Sequence, residues 1–270
     1  MMAIPFSRPA GLAFLAAVSL SLSLRVDAQE GALSAAELAA KLGAVVEDGD
    51  SLTRLRMTIK PKSGGEKTVI QVQIKARRVR GKTDVLYQVL WPKERKGESF
   101  LLSRKGSGAL QGFHFSPPDK MTKLGAGNMT DPVLGGDLAY QDVVENFFRW
   151  KDQSISGKET IQRRECVILE SKPGANDSTP YGRVKSWIDP KRLVAMRVEK
   201  FDQSGKLARR IDTNRVAKAD NGVVIPAGLM VRKSGGGSQT EIDGSNIRHD
   251  VKLTGRDFTT SAMTDFKVSR

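Results

Sequence analysis

The sequence predicts a mainly β chain of the α+β class: one large antiparallel sheet, curved or closed, with two short helices laid over it. Three observations predict it. Apolar and polar residues alternate with period two in run after run, the mark of half-buried strands. Turn residues punctuate these runs at short intervals. The connections are too short to hold the crossover helices that parallel strands need.

The first element is helical. In "SAAELAAKLGAVVED", Ser34 and Glu37 have the spacing of a capping box, and Leu38, Leu42, Val45 and Val46 recur at helical spacing. The helix runs from about Ala35 to Glu47 and is stopped by Asp48-Gly49-Asp50. Period two then takes over. "RLRMTIK" puts Leu55, Met57 and Ile59 on one face, and "VIQVQIKAR" does the same with Ile70, Val72, Ile74 and Ala76. "DVLYQVLW", "ESFLLSR" and "GALQGFHFSP" continue the meander. Later, "ECVILES", "RVKSWID", "LVAMRVEKF" and "KLARRIDTNRV" repeat the habit, with turns at Asp202-Gln203-Ser204-Gly205, Asn221-Gly222 and Asp243-Gly244. Ten or eleven strands result.

Between the two series lies "PVLGGDLAYQDVVENFF", residues 132–148. Its first half is a glycine turn. In its second half Asp137 is a candidate helix cap. Tyr140, Val143, Val144 and Phe147 lie three or four apart and share a face, opposite Gln141, Asp142, Glu145 and Asn146. Such an amphipathic helix must cover something apolar, as must the N-terminal one. A curved sheet under two helices encloses either a cavity for an apolar ligand or a dry core, and the pattern serves both readings.

The N-terminus reads as a secretory signal peptide: Arg8, an apolar run from Ala10 to Leu24, and Val26-Asp27-Ala28 with cleavage after Ala28. The run is shorter than the roughly 20 residues that span a bilayer, which favours cleavage over an anchor. The expected organisation is a signal peptide over 1–28 and a single domain over 29–270.

Composition narrows the function. With 39% hydrophobic and 6% aromatic residues the chain is not a polytopic membrane protein. Its 44 basic residues against 30 acidic ones, a net charge of +14, fit an anionic partner as well as a solvated sheet face. Cys166 is the single cysteine and sits in a strand-like run, so it reads as a buried apolar side chain. His114 and His249 lie outside any metal-ligand pattern, and Glu98-Ser99 and Asp189 have no motif that would bring a histidine to a serine. The expectation is a chain without catalytic residues, metal or cofactor.

The order of segments resembles the LolA-like outer-membrane lipoprotein-sorting proteins, in a longer and divergent branch. "VLWPKERKGESFLL" is similar to the family's tryptophan-proline, glycine and leucine-rich run. "HFSPPDKMTKL" resembles its Y-x-P-x-x-x-K segment, with His114-Phe115 at the aromatic position. "MTDPVLGGDLAYQDV" resembles M-G-S-D-x-S-Y-E-D, and "YGRVKSWIDPKRLVAMRVEKFDQSGKLARR" its W-I-D hairpin. The likeness covers most of residues 30–230; the C-terminal "DFTTSAMTDFKVSR" matches only loosely.

What the resemblance implies is a half-open β-barrel lidded by short helices, working in the periplasm as a monomeric carrier. It would hold lipoprotein acyl chains or another lipid, taken from an inner-membrane exporter and passed towards an outer-membrane acceptor. No nucleic acid and no covalent chemistry are involved. The cavity-lining candidates on the strands are Met57, Ile59, Ile70, Val72, Leu90, Trp91, Leu101, Phe113 and Phe115. Those on the lid are Leu38, Leu42, Tyr140, Val144 and Phe147. The family also implies an arginine near the lid, which the sequence does not assign. The alternative is a periplasmic regulatory or protein-binding module that senses lipid or lipoprotein.

Overall fold

The structure, a computed structural model, describes residues 1, 33–47, 49–79, 81–244 and 247–265. Residues 2–28 of the expected signal peptide and the last five residues lie outside this set. By its contacts the chain divides into Met1–Ala32 and Leu33–Arg270, and every described element belongs to the second unit.

Helix α1 spans Ala35–Val46, and its capping box forms as expected. Ser34 Oγ accepts from the Glu37 amide at 3.2 Å, and the Glu37 carboxylate accepts from the Ser34 amide at 2.9 Å. Six strands follow: β1 (Gly49–Pro61), β2 (Thr68–Val79), β3 (Lys82–Trp91), β4 (Ser99–Lys105), β5 (Gln111–Ser116) and β6 (Lys120–Leu124). After residues 125–151 come β7 (Asp152–Ile161), β8 (Arg164–Lys172), β9 (Tyr181–Asp189), β10 (Val194–Asp202), β11 (Leu207–Lys218), β12 (Val224–Lys233), β13 (Ser238–Asp243) and the short β14 (Ile247–Arg248).

All pair antiparallel in a single 14-stranded sheet, ordered β6-β5-β4-β3-β2-β1-β13-β12-β11-β10-β9-β8-β7, with β14 beside β1. The first strand lies at the centre of the sheet, and the chain meanders from it out to the β6 edge. It then crosses to the opposite edge and meanders back until β13 meets β1, Met57 opposite Ile242. The sheet is open, and residues 125–151 are the crossover between its two edges. Close approach fixes one glycine in the first meander: a side chain at Gly112 would collide with the Leu101 carbonyl.

The sheet's two faces differ. On the inner face the crossover lies against β1–β4, β12 and β13, where Val133, Leu134, Tyr140 and Val144 join Met57, Ile70, Val72, Tyr87, Phe100 and Val231 in one buried cluster. Further along, Phe147, Phe148 and Trp150 join Leu38 and Leu42 of α1 and Leu169, Val184 and Ile188 in a second. Outside, the C-terminal turn Gly255–Phe258 and helix α3 (Thr260–Thr264) seat Met263 on Leu86, Leu101 and Phe115.

Candidate functional site

The crossover is the element around which a site can be built, because it touches both halves of the inner face. Its helix, α2, spans only Tyr140–Val144; the backbone turns extended at Glu145, and a 3₁₀ turn follows at Phe147–Arg149. The break separates side chains that a continuous helix would align. Tyr140 and Val144 enter the first cluster, whereas Phe147 enters the second. The expectation of one shared face is corrected to a bridge between two cores.

Asp137 is not the helix cap. The Asp142 carboxylate fills that role, accepting from the Ala139 amide at 2.8 Å. Asp137 is instead buried and ties the crossover to β13, accepting from Thr240 Oγ1 at 2.8 Å and from Ser238 Oγ at 3.1 Å. Asp142 ties it to the second meander. Lys200 Nζ stands 2.7 Å from Asp142 Oδ1, and Arg209 Nη1 stands 3.0 Å from Oδ2. The Tyr181 hydroxyl donates to Asp142 at 2.7 Å and accepts from Arg209 at 2.7 Å. Arg209 Nε also donates to the Asp137 carbonyl. Burial works against the Asp142 charge, but Lys200 and Arg209 outweigh it and hold the carboxyl below the usual range. The polar side of the expected amphipathic helix therefore faces buried cations rather than water.

Lys200 and Arg209 are the residues that reasoning from the sequence missed. A signal was there. Lys200 falls in phase with Val198, and Arg209 in phase with Ile211, so each occupies the inner-face parity of its strand. Both lie beneath α2, against Asp142.

The cavity candidates divide into groups. Met57, Ile59, Ile70, Val72, Tyr140 and Val144 come together in the first inner cluster, and Leu38, Leu42 and Phe147 in the second. Leu101, Phe113 and Phe115 do not join them. They face outward beneath α3 and Met263, because the neighbours Phe100 and Leu102 take the inner positions and alternation sends Leu101 the other way. Leu90 is half-buried and outside these clusters, and Trp91 is 48% exposed, so neither is an inner-face residue of the crossover site.

Both inner clusters are filled by the protein's own side chains. Beside them is one cleft of about 460 Å³ between α1, the crossover and the ends of β2–β4, lined by Val79, Lys82, Arg104, Val144, Arg149 and Trp150 among others. Arg149 crosses α1 at Gly43, where any side chain would meet its guanidinium, and pairs with Glu47 at 2.6 Å. Burial pushes the neighbouring Glu145 carboxyl up. At the opposite end of the crossover, His114 stacks on Phe100 and contacts Glu98 at 3.2 Å. Burial opposes the Glu98 charge, yet His114 and Arg95 bring its pKa down to about 2. Cys166 is buried and free. Among the described residues no cluster of metal-ligating side chains forms, and no helix is long and apolar enough to cross a membrane.

The outer face of β8–β12 carries clustered cations. Lys172, Arg183 and Lys185 surround Glu170 at 3.5, 3.8 and 3.7 Å. Arg197, Arg210 and Arg232 surround Asp212 at 2.8, 3.2 and 2.9 Å. Three cations surround each carboxylate, and although Arg210 also reaches Glu199 at 3.7 Å, both clusters keep a positive surplus.

A family model with the description "-like: Uncharacterized protein" matches residues 81–265. None of the curated proteins matches the chain by sequence. Among solved structures, the chain is similar to a DUF1329 family protein from Desulfovibrio piger, with a TM-score of 0.78 and 22% identity over 85% of this chain and 97% of that one. It is similar to a proposed outer membrane lipoprotein-sorting protein domain from Vibrio parahaemolyticus, with a TM-score of 0.75 and 19% identity over 85% and 98%. It is also similar to a LolA superfamily protein from Nitrosomonas europaea, with a TM-score of 0.67 and 16% identity over 86% and 100%. These likenesses are of fold.

Proposed function

This chain belongs to the LolA-like family as a divergent member, and on that premise we propose that it is a periplasmic carrier of acyl chains. The observation that carries the reading is the crossover. It lays Tyr140, Val144 and Phe147 along the inner face of an open sheet, where an acyl chain would otherwise lie. Cargo enters by displacing these side chains, and release returns them. Burial of acyl chain contributes about 0.8 kcal/mol per CH₂. Refilling of the cavity by the crossover offsets part of this and keeps the affinity moderate enough for transfer. The chemistry is binding, not catalysis. The cargo is a lipoprotein's acyl chains or another lipid, and the surplus cations on β8–β12 suit an anionic membrane surface on either side of the transfer.

The test is uptake of a fluorescent fatty-acyl probe by the purified protein, competed by unlabelled phospholipid. Val144→Asp should abolish saturable uptake and leave the β-sheet circular dichroism intact. Loss of the sheet signal instead would make Val144 ordinary core and remove the support.

A further inference from the structure

The cleft beside the crossover has polar chemistry that the apolar clusters do not require. Arg104 is 6% exposed, and its guanidinium donates to the carbonyls of Gly108 at 2.9 Å, Ser107 at 3.4 Å and Ser178 at 3.5 Å. Its nearest carboxylate in an ion pair, Glu145, stands 4.0 Å away. Lys82 and Arg149, at the more exposed wall, are already paired with Asp84 at 2.8 Å and Glu47 at 2.6 Å. Asp177 also lines the cleft, but its carboxylate caps the Gly174 amide.

The crossover side of the cleft holds buried polar groups without a partner. Trp150 is 4% exposed and its indole N–H has no hydrogen-bond partner; the side-chain oxygen of Asn146 has none either. A buried donor without an acceptor costs about 1–3 kcal/mol, and a native structure retains such groups where something else supplies the partner. Val79 and Val144 give the same cleft an apolar wall that leads to the first inner cluster. Charge-assisted donors beside an apolar wall fit a molecule that is anionic at one end and apolar at the other.

We infer that this cleft seats the phosphate-bearing headgroup of the carried amphiphile, with the phosphate on Arg104, the Trp150 indole as a further donor, Lys82 and Arg149 at the mouth, and the acyl chain leaving over Val144. The inference rests on the carrier reading and names its substrate class: an acylated phosphate rather than a neutral lipid. Burial, which pushes the Glu145 carboxyl up, weakens that group as a counter-ion to Arg104 and leaves room for an external anion.

Calorimetric titration of the protein with dihexanoyl phosphatidylglycerol, dihexanoylglycerol and inorganic phosphate tests it. The phosphatidylglycerol should bind about ten-fold more tightly than the neutral lipid, the worth of a charge-assisted contact. Arg104→Gln should erase that preference. Lys82→Glu, a change at a half-exposed side chain, should reduce it several-fold while the protein keeps its β-sheet circular dichroism, and it carries the test if Arg104→Gln fails to fold. Equal binding of both lipids, or a preference unchanged in Lys82→Glu, overturns the headgroup seat and leaves the carrier reading standing. Inorganic phosphate binding as tightly as the lipid overturns it in favour of a free-anion site. Binding of neither lipid contradicts the carrier reading itself.

Discussion

Asp142 holds the crossover to the sheet through a single buried carboxylate. Replacing it by asparagine leaves Lys200 and Arg209 buried without their anion, a loss of about 3–5 kcal/mol. Urea unfolding of Asp142→Asn at neutral pH should show a loss of that size; a loss below about 1 kcal/mol would mean that the cations find water. Asp142 and, at the other end of the crossover, Glu98 together set an acid-side slope. Asp142 and Glu98 both have folded pKa values below their ordinary ones. Their contribution is complete above the ordinary carboxylate range and is lost as pH falls, for Glu98 between 4.5 and about 2. Glu145 acts with the opposite sign: its raised value costs stability as pH rises above the ordinary range. Unfolding followed from pH 6 to pH 2 should steepen below about 4.5, and Glu98→Gln should flatten part of that slope. The phases of Lys200 and Arg209 were legible in the sequence as cations on the apolar parity of their strands. Their partner was not, because Asp142 reads as the solvent side of an amphipathic helix until the second meander closes over it.

Elements with one buried face were the legible ones. The bounds of α1 and the faces of β1 and β2 follow from capping chemistry and alternation. The two edge strands did not, for one reason: β6 and β7 are exposed over most of their length, so "KMTKL" and "DQSISGKETI" have no apolar stripe to reveal them. The outward turn of Leu101, Phe113 and Phe115 was illegible too, since the C-terminal helix that makes both faces of β4 and β5 apolar shows no strong signal of its own. The β7–β8 hairpin closes through Gln162-Arg163, both at positive φ, the geometry that Asn-Gly adopts without strain. Changing the pair to Asn-Gly should stabilise the protein by about 1 kcal/mol in thermal unfolding. The crossover can be tested as an element. A Cβ at Gly136 would lie 3.0 Å from Thr240 Oγ1, a position a cysteine sulfur at 240 can take, within reach of a disulfide. The Gly136→Cys/Thr240→Cys protein should lose acyl-probe uptake when oxidised and recover it when reduced; uptake by the oxidised form would mean that cargo binds without displacing this part of the crossover.

At the scale of the whole molecule, the open sheet and its single crossover suit a container whose plug belongs to the chain itself. The sheet class was readable from alternation and turn spacing, and the half-open form from the family resemblance. That the first strand sits at the sheet's centre and the chain crosses between its edges was not, because only the pairing of β1 with β13 reveals it. The surplus cations around Glu170 and Asp212 should draw the protein to vesicles containing phosphatidylglycerol, with binding that weakens between 50 and 500 mM salt, roughly where screening shortens to a few ångströms. The carrier reading is tested most directly by native mass spectrometry of the protein purified from a periplasmic extract without detergent. The protein should carry a bound mass that extracts as lipid or acylated peptide and is lost from the oxidised Gly136→Cys/Thr240→Cys protein. A bare mass that stays unchanged after incubation with phospholipid and acylated lipoprotein would contradict it.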